Sequence, residues 1–276
     1  MKKILFPTDF SENSLNAFRY ALHLANKLQA EIITLHIYDG PEGFYQEYYD
    51  FLIENYTITE WNEFENYKSE VPKLNTIAED CQLGHVKLSH MLERGKPIMS
   101  IVEIAAAEKV DYIVVGTKGA RGLKEVFMGS LTEKIINESP VPVLAVPAKC
   151  FYKPLKHIVF LCHYKSAEAE IFKKLIPLAK LFDAQLDILQ VQEHHREDEY
   201  EVMAQWKAMF PDLGIGFYML TSNDYEGTVM DFIKLNKESL IAMPRRHKNY
   251  LDKIFVYSLS RELAFHSTIP LLMLPI

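Results

Sequence analysis

Residues 114–147 read VVGTKGARGLKEVFMGSLTEKIINESPVPVLAVP. The apolar run Tyr112–Val115 stops at Gly116, and a second glycine follows at Gly119. Gly129-Ser130 comes later, and from there Leu131, Ile135 and Ile136 recur at helical spacing. A second apolar run, Val141–Val146, closes the stretch between Pro140 and Pro147. The order is therefore buried strand, glycine loop, helix, strand. Glycines at the end of a buried strand let the backbone reach positive φ and approach a ligand closely. The amides at the start of a helix point outward unpaired and carry the positive end of its dipole, which favours an anion such as phosphate. A turn needing glycine for its shape alone is the simpler alternative.

Working outward, Ile4–Phe6 is a short buried strand ending at Pro7-Thr8-Asp9. Ser11 is placed to cap a helix whose apolar stripe runs Leu15, Phe18, Ala21, Leu22, Ala25, with Glu12 in its first turn. Glu31–Ile37 is the next strand. Strand–helix–strand order favours a parallel sheet with its ligand at the carboxyl ends of the strands. Asp9 and Gly116 both lie at such ends. Asp9 is also in place to act as a turn or capping carboxylate.

The spacing G-x2-G-x9-G-[S/T], from Gly116 through Ser130, resembles the nucleotide-binding signature of the universal stress protein family in its ATP-binding branch. The turn Gly95-Lys96-Pro97 resembles it too. By that resemblance Pro7, Thr8 and Asp9 stand near the adenine and ribose, while Ile37 and Val115 pack on the base. Gly116, Gly119, Gly129, Ser130 and Leu131 match the positions holding ribose and phosphates. Lys118 stands where many relatives have histidine, and its ammonium can still reach a phosphate. The implied ligand is ATP, or AMP or ADP, with Mg2+.

Residues 39–85 loosen into an aromatic and acidic segment containing Tyr45, Tyr48, Tyr49, Trp61, Phe64 and Tyr67. It reads as a helical excursion whose aromatics cover the sheet edge, with a lid or partner surface as the alternative. Val86–Leu92 is then a strand and Ile98–Glu108 an alanine-rich helix.

After PAKCFYKP (147–154), which reads as a linker, the pattern restarts. Lys156–Phe160 mirrors Lys2–Phe6 at an offset of 154, and Pro270 and Pro275 answer Pro142 and Pro147 at 128. The second copy is thus 26 positions shorter, the loss falling where the first has its aromatic excursion. At these offsets Gly116 becomes Pro244, Gly119 becomes His247, Gly129 becomes Tyr257 and Asp9 becomes His163, while Ser130 persists as Ser258. Proline removes an amide and fixes φ, so no nucleotide is expected in the second half by the family's mode. Arg245–Lys248 reads as a basic, solvated loop.

The expected fold is α/β, with two tandem doubly wound (Rossmann-like) domains, 1–149 and 150–276. Each has a five-stranded, mainly parallel sheet flanked by helices. Family members commonly pair through their last strand, so Val141–Val146 and Leu271–Leu274 are expected to join in an intrachain pseudo-dimer, with a homodimer also open.

Composition bounds the rest. The 276 residues are 49% hydrophobic and 24% charged, and the net charge of -7 argues against a nucleic-acid surface. No apolar run approaches membrane-spanning length, and Ile4–Phe6 is too short for a signal-peptide core. Cys81, Cys150 and Cys162 show no metal or disulfide spacing, and cytoplasm is the expected compartment. His194-His195 lacks further ligands at metal spacing. No nucleophile elbow or Walker loop occurs. The resulting expectation is a non-catalytic, nucleotide-binding stress-response regulator. A slow ATPase using Glu125, or a nucleotide-free scaffold, are the alternatives.

Overall fold

A computed structural model describes residues 1–38, 49–117, 130–194, 197–211, 213–235, 239–245 and 269–276. The first half runs β1 (Lys2–Pro7), α1 (Glu12–Leu28), β2 (Ala30–Tyr38), α2 (Tyr49–Asp80), β3 (Leu88–Arg94), α3 (Pro97–Ala107), β4 (Tyr112–Gly116), α4 (Ser130–Glu138) and β5 (Val143–Val146). The second runs β6 (His157–Leu161), α5 (Ser166–Lys173), α6 (Leu175–Phe182), β7 (Gln185–Gln192), α7 (Glu197–Met209), β8 (Gly216–Thr221), α8 (Tyr225–Leu235), β9 (Ser239–Pro244) and β10 (Leu271–Leu274).

The strands form one ten-stranded sheet in the order β3-β2-β1-β4-β5-β10-β9-β6-β7-β8. Within each half all pairs are parallel; only β5 and β10 run antiparallel, with Leu272 opposite Leu144. The expected pairing of the last strands thus fuses two five-stranded units into one sheet.

Helices cover both faces, which is why the strands read as unbroken apolar runs. Ile4 and Phe6 enter one core with Phe18, Ala21 and Leu22 of α1 and Leu74 and Ile77 of α2. Leu5 enters the other, with Ile101 of α3 and Ile135 and Ile136 of α4. Both cores take residues from the two halves. Ser11 caps α1, its side chain accepting from the Ser14 amide. Gln29 ends the helix in the left-handed conformation.

The two halves match in register. Ile4 pairs with Ile32 and Ile158 with Leu186; Ile4 pairs with Tyr112 and Ile158 with Leu240. Phe10 and Tyr164, and likewise Gln29 and Asp183, lie 154 positions apart and all take positive φ near 55°. Pairing refines where the shortening falls. Ser89 opposes Ile33 and Gly216 opposes Asp187, so 127 positions separate the third strands, and one position is regained before β4 and β9. The loss is mostly one helix: α2 has 32 residues, its counterpart α7 has 13.

Two expectations need correction here. Of the excursion's described aromatics, Tyr67 is buried as expected, whereas Trp61 and Phe64 are exposed and do not cover the sheet; Tyr45, Tyr48 and the side chain of Tyr49 lie outside the described residues. Residues 147–154 are no loose linker. Asn16 donates to the carbonyls of Pro147 and Cys150, the Tyr20 hydroxyl meets the Cys150 thiol at 2.9 Å, and Tyr152 stacks on His23. The segment is strapped to α1.

Candidate functional site

In the first half the strand order turns back between β1 and β4: β1 has β2 on one side and β4 on the other. A crevice opens outside the carboxyl ends of the strands at such a reversal. Pro7, Thr8 and Asp9 lie at one lip, where β1 ends, and Gly116 and Thr117 at the other, where β4 ends. Ile37, near the end of β2, and Val115 pack into the same core. Seven of the expected positions therefore gather at this end of the sheet, counting Leu131 in the first turn of α4. That residue is 40% exposed.

Hydrogen bonds set the lips. The Thr8 amide donates to Leu35 O, and its buried hydroxyl pairs with Ser14 Oγ at 2.8 Å. The Phe10 amide donates to Thr8 Oγ1, turning the chain through positive φ. Asp9 Oδ1 accepts from both the amide and hydroxyl of Ser11. Asp9 thus performs the turn role open to it, and its side chain remains at the surface, at the crevice. His36 Nδ1 contacts Thr8 O at 2.8 Å, and Phe10 and Tyr67 pack around that imidazole. Of this aromatic group on the opposite face only Tyr67 was singled out from sequence; the positive φ of Phe10 has no local signal.

On the other lip, the Thr117 amide donates to Val146 O, and the buried Thr132 hydroxyl donates to Gly116 O at 2.9 Å. The latter bond ties the first turn of α4 to the end of β4, bringing a helix N-terminus to the crevice. Thr132 was missed because its partner is a backbone carbonyl sixteen residues away. Lys118, Gly119, Gly129 and the side chain of Ser130 lie outside the described residues, as does Glu125.

The second half differs at the equivalent end. Its strand β9 ends in Pro244, whose ring closes off an amide. The His163 amide donates to the buried Glu168 carboxylate. A cavity of about 280 Å3 opens there, lined by His163, Gln190, Gln192, Glu193 and Glu199 among others. Two carboxylates in so small a lining oppose a phosphate. Arg245, the described member of the basic cluster, departs from the expectation of solvation: its guanidinium donates to the carbonyls of Ile136 and Ser139. It thereby caps the C-terminal end of α4 in the other half, where the helix dipole favours a cation. Arg246, His247, Lys248, Tyr257 and Ser258 lie outside the described residues.

Known proteins resemble this chain in sequence and in fold. Residues 1–147 match the universal stress protein family. The chain is 34% identical over 155 residues to universal stress protein MJ0577 of Methanocaldococcus jannaschii, covering 54% of this chain and 96% of that protein. It is 33% identical over 152 residues to MJ0531 of the same organism, covering 52% and 81%. A universal stress protein structure from Archaeoglobus fulgidus aligns with 99% of this chain and 98% of its own, at 19% identity and a TM-score of 0.67. That likeness establishes the fold over both halves.

Proposed function

Because this chain belongs to the universal stress protein family, we propose that its first half binds an adenine nucleotide and that occupancy, without turnover, alters recognition of a partner during stress. The observation that carries the reading is the convergence of Asp9, Gly116 and the α4 N-terminus at the β1/β4 reversal.

In this reading the base packs on Ile37 and Val115, beside Pro7, Thr8 and Asp9. The phosphates meet backbone amides between Gly116 and Leu131, including those of Gly119, Gly129 and Ser130, with Lys118 as a point charge. ATP, with AMP and ADP as alternatives, is the proposed ligand, accompanied by Mg2+ that would neutralise phosphate charge. The chain's own part is to bind and orient. The domains are proposed as 1–149 and 150–276, the site belonging to the first. The cytoplasm is the proposed compartment, and among the described residues no helix is long and apolar enough to cross a membrane.

Titration calorimetry with Mg-ATP tests this, alongside Gly129→Tyr, which copies the second half. Saturation near one nucleotide per chain, abolished by the substitution, supports the reading. Absence of heat with ATP, ADP and AMP overturns it. Phosphate release that falls in Glu125→Ala, with binding retained, would replace a binder with a slow ATPase.

A further inference from the structure

The cavity of about 280 Å3 at the carboxyl end of the second half has hydrogen-bond acceptors in its wall that lack donors. Gln190 is the clearest case. It is 2% exposed, and its Nε2 donates to Glu199 Oε2 at 2.6 Å. An ionised carboxylate only accepts, so the amide must present its nitrogen there and its oxygen elsewhere. That oxygen, Oε1, is buried and has no hydrogen-bond partner. Gln192, two residues on and so on the same face of β7, likewise leaves its Oε1 unpartnered, with Nε2 at 3.3 Å from the Thr221 hydroxyl. A buried carbonyl oxygen without a donor is destabilising, and a ligand that brings N–H groups relieves this. The first half completes the same place from within: His36, 154 positions before Gln190, meets Thr8 O at 2.8 Å.

Charge and size narrow the donor. Glu193 and Glu199 both line the cavity, and a carboxylate has lone pairs enough to accept from more than one donor. His163 and His194, also in the lining, accept through an unprotonated ring nitrogen. Acceptors and carboxylates together favour a cation that carries N–H groups. The space equals roughly nine waters, so a bare metal ion would leave it largely empty and an organic cation suits it better. Gln190 is enclosed and Glu193 is exposed, which places acceptors at an inner end and at the mouth, roughly 10 Å of strand apart. Val191 and Tyr225 supply apolar wall for methylenes. We propose that this cavity binds a short aliphatic diamine in its doubly protonated form, one ammonium donating to Gln190 Oε1 and the Glu199 carboxylate and the other facing Glu193.

Calorimetry of the full chain with putrescine tests the proposal. Its fully N-methylated analogue keeps both charges without any N–H, and 1,4-butanediol keeps donors without charge. Putrescine should saturate near one per chain, with affinity at least about tenfold above either control. Gln190→Met keeps the length of the side chain and removes the acceptor, and should lower putrescine affinity about tenfold or more. Glu193→Gln, at the surface, should weaken putrescine about threefold or more and leave butylamine, held by the inner end alone, nearly unchanged. That second variant decides the matter should Gln190→Met fail to fold. No saturable binding, equal affinity for putrescine and its methylated analogue, or displacement of putrescine by equimolar Ca2+ would each overturn the proposal. So would indifference of putrescine binding to Glu193→Gln, or to Gln190→Met in a folded protein.

Discussion

Thr132 shows how one side chain positions a site. Its hydroxyl donates to Gly116 O from a fully enclosed position, so the start of α4 cannot drift from the end of β4. Thr132→Val keeps the shape and removes the donor, and should cost about 1 kcal/mol of stability, read from the urea midpoint. Under the proposed function it should also weaken Mg-ATP binding, because the helix amides lose their anchor. Asp187 is a second such residue. Burial pushes its carboxyl up, but hydrogen bonds from His157 at 2.6 Å, from Gln185 and from the Gly216 amide outweigh this and hold it below its ordinary value of 3.8. A carboxyl depressed in the folded state contributes stability above its unfolded pKa and loses it as pH falls through the folded one. Asp187→Ala should therefore cost about 3 kcal/mol at neutral pH. The gap to the parent protein should close as pH drops below the 3.8 region, in urea melts taken across that range. Gly216 belongs to the same cluster, since an added Cβ would run into the Asp187 carboxylate. None of this was legible in the sequence, where Asp187 is one acidic residue in an apolar strand and its partners His157 and Gly216 lie in two other segments.

At the scale of elements, sequence periodicity served well wherever a stripe faces a core. The Ser11 cap, the α1 stripe and strands β1, β2, β4 and β10 all appear where the spacing places them. It served poorly for α2. Its described aromatics do not all face one way, so its burial side was not visible, and Trp61 and Phe64 ended outside while Tyr67 is buried. Nor could it show that residues 147–154 are tied down, because the donor, Asn16, sits in α1 more than a hundred positions earlier. Asn16→Ala should leave the Cys150 carbonyl short of a donor in a buried setting, while Pro147 O keeps the Cys150 amide, and cost about 1–3 kcal/mol. The same packing has a chemical readout. Burial pushes the Cys150 thiol up to about 11, leaving almost no thiolate at neutral pH. Cys81, only partly enclosed, should react with iodoacetamide first in the native protein. Asn16→Ala should bring Cys150 labelling forward, which mass spectrometry of the tryptic peptides would show. Unchanged Cys150 labelling would mean that the segment is held by the Tyr20 and Tyr152 contacts alone.

The whole molecule is organised by the antiparallel meeting of β5 and β10. Each would otherwise be a sheet edge with a free row of amides and carbonyls, and each edge covers the other. The joint is also apolar, because Leu144, Ala145, Leu271 and Leu272 are all buried within the two shared cores. Arg245 adds a polar tie, reaching from the end of β9 to the last turn of α4. A chain cut to residues 1–149 would lose the cover on β5, the guanidinium on α4 and the far sides of both cores. The remaining face is self-complementary, since a second β5 can run antiparallel to the first as β10 does. The fragment should therefore form a two-fold dimer through β5, with a sedimentation mass near twice its own. Val143→Lys, placing like charges near one another across that new joint, should shift the fragment toward monomer or aggregate. A fragment that is monomeric and as stable as the full chain would mean that β5 tolerates being an edge. The second half would then have to be explained by something other than covering it.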